Sequence, residues 1–434
     1  MKNKLLKRNK IILISLTIVI CLFSVFIRPV KLYCDAASNK QDIIEELNGT
    51  VVDELNEIDF SGLNSLIEEF KGKKSNIFSI ENIKSKVYSI ISGENAVNYS
   101  NFFASLFSNI IEMVAKYLPL LSLIIAIGII SNLLNNIKSK FSEKSTSNLI
   151  HLVCFLSIVI IVIGIITNLT DSTSKSINSM VNQMNVMFPI LLTLMVGIGA
   201  NASVGVFQPV VAIMSTYVAD IFKFFILPLF MLSFVFGIIS NISNNIKLDK
   251  FSSFISSLFK WSVGLVFTLF FAIFTIQGIS AGSFDSVGIR TTKYTIKSYV
   301  PIMGGYLSDG MDLIMSSTVL IKNSVGLIGV LLIITTILSP LIEIAICSLL
   351  FKLVSAILQP LGNSRSSSFL SSTSKSITML SSSIIAIGFM YLLTVGLIMT
   401  TSNVVIWYEW LYFKYFRHCA CRSYYWSYYP VWKH

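Results

Sequence analysis

Charge is what this chain has least of. Charged residues make up 13% of its 434 positions against 54% apolar ones, and the mean hydropathy is +0.75. Soluble domains carry roughly 25% charge, so a single large water-soluble fold is excluded. Histidine and cysteine are also scarce, with three of the former (His151, His418, His434) and six of the latter. Cys21 and Cys34 lie in or beside an N-terminal apolar stretch, Cys154 and Cys347 inside apolar runs, and Cys419 and Cys421 near the C-terminus. That distribution implies no disulfide framework. A G-x-x-x-x-G-K-[ST] nucleotide loop, an H-E-x-x-H metalloprotease helix and paired Cys-x-x-Cys zinc ligands are all missing. The expectation is a chain without catalytic residues, cofactor or metal.

Long apolar runs are abundant instead. They lie near Leu120–Leu134, Leu149–Leu169, Met187–Val211, Ile221–Ile239, Trp261–Ile279, 319–339, 341–358 and Met379–Thr401. Many approach the ~20 residues that carry an α-helix across a ~30 Å hydrocarbon core, so the fold class is all-α, a multi-pass transmembrane bundle. The net charge is +11, and its basic residues sit in short segments beside the apolar runs. This is the pattern of positive-inside topology, not of nucleic-acid binding. Lys138, Lys140 and Lys144 mark residues 135–148 as cytoplasmic, and Lys247, Lys250 and Lys260 mark 241–260 likewise. Thr170–Val186, nearly neutral, reads as a loop on the far side. The glycines between Gly197 and Gly205 break the next run into either short spans or a re-entrant pair, which gives seven to nine crossings or re-entrant segments across residues 101–405.

The first 36 residues read as a signal peptide: Lys2, Lys4, Lys7, Arg8 and Lys10, an apolar core, then small residues at Cys34 and Ala36. An uncleaved anchor is the alternative. Residues 37–100 form an exported region, acidic and then basic. Gln41–Phe70 holds nine acidic residues and no Lys or Arg, with Ile43, Leu47, Val51, Leu55 and Ile58 on one helical stripe. That stripe suits either a self-packed helical pair or a docking surface. Asn101–Leu118 reads as an interfacial helix on which Glu112 and Lys116, one turn apart, can pair, and Pro119 marks the start of the first span.

The stretch from Ser298 to Ser364 organises the rest. Pro301, Gly304, Gly305, Asp309 and Asp312 precede two apolar runs split at Ser339-Pro340, which read as a membrane hairpin. The order Pro301, Gly304-Gly305, Leu307, Asp309, then Leu320 to Gly326 with Lys322 and Asn323, then Pro340, Lys352 and Ala356 to Leu361 with Gln359 and Pro360, resembles the stage III sporulation protein AE family of endospore-forming bacteria. The resemblance covers about Asn39 to Asn403. It implies a component of the channel complex linking mother cell and forespore, in the mother-cell membrane around the forespore. The implied partners are other membrane proteins of the stage III sporulation complex, including a separate ATPase and ring-forming subunits. A stand-alone secondary transporter is the alternative, supported by the broken run near Gly197–Gly205 and by Glu343.

The candidates for assembly or conduit are therefore Pro301, Gly304, Gly305, Asp309, Lys322, Asn323, Gly326, Pro340, Glu343, Lys352, Gln359 and Pro360. Among charges inside apolar runs, Asp220 and Lys223 can pair on one face, Lys322 and Lys352 can snorkel, and Glu343 falls at an interface between the hairpin helices. Gly278–Gly282 (a GxxxG), Gly326–Gly329 and Gly388–Gly396 offer small faces for close packing within the bundle, with subunit contacts as the alternative. Residues 406–434 depart from all this, with four of the five Trp and seven of the 16 Tyr. An aromatic membrane anchor, a metal site at His418 to Cys421 and a reading-frame error in the gene compete, and the abrupt change of composition favours the last.

Overall fold

The computed structural model describes residues 40–72, 83–92, 99–138, 144–242, 248–300, 303–361 and 363–401. The expected signal peptide and aromatic tail lie outside them. Contacts divide the chain into Met1–Asn48, described only for the opening of its first helix, and Gly49–His434.

Among the described residues every regular element is helical. Three short helices come first: α1 (Lys40–Glu57), α2 (Ser61–Gly72) and α3 (Ile83–Ile91). At the head of α2 the Ser61 backbone N–H donates to Asp59 Oδ1 at 2.8 Å, and this bond holds the exposed Asp59 carboxyl below its usual range. Long helices follow: α4 (Tyr99–Lys138), α5 (Lys144–Gly197), α6 (Asn201–Ile213), α7 (Leu227–Ile242), α8 (Asp249–Tyr299), α9 (Gly304–Leu358) and α10 (Ser364–Thr401). Two π-helical turns, Met214–Val218 and Phe222–Ile226, join α6 to α7 through Ala219–Ile221. Among the described residues six stretches are long and apolar enough to cross a membrane: Ala104–Leu134, Leu152–Gly197, Asn201–Asn241, Lys250–Ile276, Gly304–Leu358 and Ser364–Thr401. The chain is a multi-pass membrane protein.

Two expected breaks are continuous helix. The hairpin at Ser339-Pro340 does not form; α9 runs through it for 55 residues, with Pro340 buried inside. Proline removes one backbone donor, but a buried helix whose neighbours flank it along its length tolerates that loss. The expected loop Thr170–Val186 is likewise helix, within the 54 residues of α5. Its composition is polar, yet Leu169, Thr173, Ile177, Met180, Met184 and Met187, three or four residues apart, are all fully buried. Pro119 lies inside α4, so the interfacial helix and the first span are one element.

The reversal falls elsewhere. α5 ends at Gly197, Gly199 takes φ +86°, where a side chain is strained, and α6 starts at Asn201. Asp285 of α8 caps the new helix by accepting the N–H groups of Ala202 (2.9 Å) and Ser203 (3.1 Å). With α5 running one way and α6–α7 back, the start of α5 and the end of α7 lie at the same end of the bundle. The two basic segments therefore share a side without extra crossings.

α9 is the axis. α5 runs antiparallel to it, Gln183 Nε2 donating to Thr336 Oγ1 at 2.6 Å and Ser172 meeting Glu343. α10 runs antiparallel on another side, joined by two reciprocal serine clasps. Ser348 and Ser374 each donate to the other's carbonyl (3.0 and 2.7 Å), as do Ser355 and Ser367 (2.7 and 2.8 Å). Seven residues separate the clasps on both helices, so they fall on one seam. Gly326, Gly329 and Gly388 meet Met399, Met187 and Ile337 so closely that no Cβ fits without displacement. These glycines pack within the bundle, as expected; the side chains around Gly278–Gly282 lie outside the described residues.

Candidate functional site at a buried carboxylate

Glu343, 4% exposed, lies three residues beyond Pro340 and faces two other helices. Its Oε1 accepts hydrogen bonds from Lys116 Nζ and Tyr117 Oη of α4, both at 2.6 Å, and its Oε2 accepts one from Ser172 Oγ of α5 at 2.8 Å. Successive residues on a helix point about 100° apart, so Lys116 and Tyr117 straddle the carboxylate. The ammonium also stands 5.1 Å from the centre of the Tyr117 ring. Tyr117 is buried while the Lys116 side chain is 51% exposed, which places the ion pair at the rim of the junction. A charge-assisted bond, a phenol and a hydroxyl together compensate the desolvation of one carboxylate.

Glu343 therefore sits among α4, α5 and α9 rather than between hairpin helices, and Lys116 pairs with it instead of with Glu112. The sequence did not show Lys116, Tyr117 and Ser172 as partners of Glu343, because the first two were assigned to an interfacial helix and the third to a loop. The apolar period through Ile177, Met180, Met184 and Met187 was the signal that could have placed Ser172 on a buried helix.

The remaining candidates scatter along α9. Lys322 does not snorkel: it is fully buried and donates to the carbonyls of Met399 (3.0 Å) and Ile398 (3.3 Å) in the last turn of α10. There the Lys322 amine satisfies acceptors the helix leaves open. Gly326 lies one turn on, against Met399, and Asn323 is half-buried. Gly304 backs onto α8, where a Cβ would stand 2.6 Å from the Ile296 carbonyl oxygen, whereas Gly305 faces open space. Asp309, Lys352, Gln359 and Pro360 are exposed, and Pro301 lies outside the described residues. Nearby Asp312 pairs with Lys293 of α8. Two cavities flank the α5–α6 reversal. One of about 590 Å³ is bordered by Asn185, Thr193, Gln208 and Ser215, the other of about 460 Å³ by Gly197, Gly199, Asn201 and Asp285.

The family model described as stage III sporulation protein AE matches residues 81–402. The chain belongs to that family. Stage III sporulation protein AE of Bacillus subtilis (strain 168) is 24% identical over 326 residues, covering 75% of this chain and 82% of that protein. No solved structure matches. The match takes in Glu343, Lys116, Tyr117 and Ser172 together with all of α4–α10, and it makes this family member a sporulation-related membrane protein.

Proposed function

We propose that the chain is a non-enzymatic subunit of the channel complex between mother cell and forespore, acting as scaffold or conduit in the mother-cell membrane and needed for late forespore development. The observation that carries this reading is the use of the polar groups inside the bundle. Glu343 joins α4 and α5 to α9, Lys322 joins α9 to the end of α10, and Asp285 joins α8 to the start of α6. Each clamps helices together, as a scaffold requires. Family membership supplies the sporulation context. A separate ATPase and ring-forming membrane proteins are the partners this reading requires.

A stand-alone secondary transporter is the second reading, favoured by the reversal at Gly199 beside the cavity of about 460 Å³. Affinity recovery of the tagged protein from sporulating cells in mild detergent separates the two. Co-recovery of an ATPase and ring-forming membrane proteins is the expected result. A stable, monodisperse protein recovered alone would overturn the subunit reading.

A further inference from the structure

At its two π turns the α6–α7 segment carries an ion pair, Asp220 lying between the turns and Lys223 within the second. Asp220 and Lys223 sit midway along Asn201–Asn241, the stretch long and apolar enough to cross a membrane. Their charged atoms are 4.0 Å apart, beyond hydrogen-bond length, and the side chains are 44% and 22% exposed. Around them the surface is aromatic and apolar: Tyr217 is 65% exposed, Ile221 41% and Phe224 78%. Tyr217, Asp220, Ile221 and Phe224 are thus exposed together along this short segment and make one patch. π turns are rare and concentrate at functional positions, and here two bracket three α-helical residues. With the Asp220 carboxylate 44% exposed at this depth and its pair to Lys223 only half made, this face calls for a partner that carries charge at the same depth.

We propose that this face joins two copies of the chain. Copies in one membrane share an orientation, so a twofold axis relating them runs along the membrane normal and brings the same face of each copy together. Asp220 and Lys223 are one turn apart and opposite in sign, which makes the face self-complementary. Asp220 of each copy reaches Lys223 of the other through the four-carbon lysine stem, while Tyr217 and Phe224 cover the pairs. A second copy supplies both signs at the required spacing, and the contact is independent of whether the chain works as a channel subunit or as a transporter.

Cysteine crosslinking in native membranes with charge reversal tests this. Phe224→Cys is expected to give a disulfide-linked homodimer of the full chain, and Val153→Cys, exposed on α5, is the off-face control. Adding Asp220→Lys to Phe224→Cys should lower the crosslinked fraction by about tenfold or more, since it sets like charges against each other. Lys223→Asp should do the same. Co-expressing the two reversed chains restores opposite charges across the axis and should restore the crosslink, which also shows that both variants fold. If a reversed chain fails to accumulate, Asp220→Asn with Lys223→Gln replaces it, with loss of crosslink expected. Absence of the homodimer, a homodimer indifferent to charge, or an adduct with a different membrane protein would each overturn the proposal.

Discussion

At Glu343 a single carboxylate decides how three helices meet. Replacing it with Gln keeps the shape and one acceptor oxygen for Tyr117, and makes Ser172 the acceptor of the new amide N–H, but leaves Lys116 without its counter-charge. Because Lys116 is half exposed, solvent limits the loss to about 1–2 kcal/mol. A thermal unfolding series in detergent should show a lowered midpoint, and a double-mutant cycle with Lys116→Met should show coupling; additive losses would refute the pairing. A Glu343→Gln strain that sporulates normally would remove any ion-coupled role for this residue. The glycine pair at the start of α9 gives a sharper contrast. Gly304→Ala drives a methyl group into the Ile296 carbonyl and should destabilise by about 1–3 kcal/mol, whereas Gly305→Ala faces open space and should stabilise the helix by up to about 1 kcal/mol. Equal midpoints for the two variants would contradict the close approach of α8 and α9. Asp59 belongs to the same scale. Its carboxyl titrates below the usual range, so the stability it lends α2 is present above that range and is lost as pH falls through the lowered value. Protection of the α2 amides, taken relative to their intrinsic exchange rate at each pH, should therefore fall in acid, and less so in Asp59→Asn.

Among the elements, α9 matters most because its continuity separates two architectures. At about 1.5 Å per residue, spin labels at positions 306 and 357 should lie about 75 Å apart. A hairpin turning at Pro340 would bring them within roughly 30 Å by the same rise, so one distance measurement decides. Both positions are exposed and accept labels with little disturbance. The α9–α10 seam makes a second test at this scale. Ser355→Ala with Ser367→Ala removes one reciprocal clasp, worth about 0.6 kcal/mol per interhelical bond in a membrane setting. Ser355→Leu should cost more, because it forces apart backbones that the hydroxyls hold close.

For the whole molecule, the short N-terminal helices are attached rather than free. In α1 and α2, Val51, Leu55, Leu63, Leu66 and Ile67 are buried, and Glu54 accepts hydrogen bonds from Ser317 and Thr318 of α9 at 2.7 and 3.0 Å. Leu63→Asp buries a charge where a fully enclosed leucine stood and should cost about 3 kcal/mol or more. Limited proteolysis at Glu57 should then quicken while the spans stay inserted; unchanged cleavage would show that these helices are held by something other than their apolar stripe. The stripe itself was readable as periodicity in the sequence. Its docking side was not, because Ser317 and Glu54 are 263 residues apart and nothing local links them.

The same division runs through the molecule. Scarce charge and long apolar runs by themselves determined an all-α membrane protein, since only helices satisfy every backbone group within their own segment. The ordered residues from Pro301 to Leu361 by themselves pointed to the family. Only tertiary structure decided where the helices end, because a buried face can continue through a polar stretch such as Thr170–Val186 or past Pro340 when neighbouring helices cover it. It alone decided the partners of Glu343, Lys322 and Asp285, since those bonds cross from one helix to another and depend on how helices are placed, which no local pattern records.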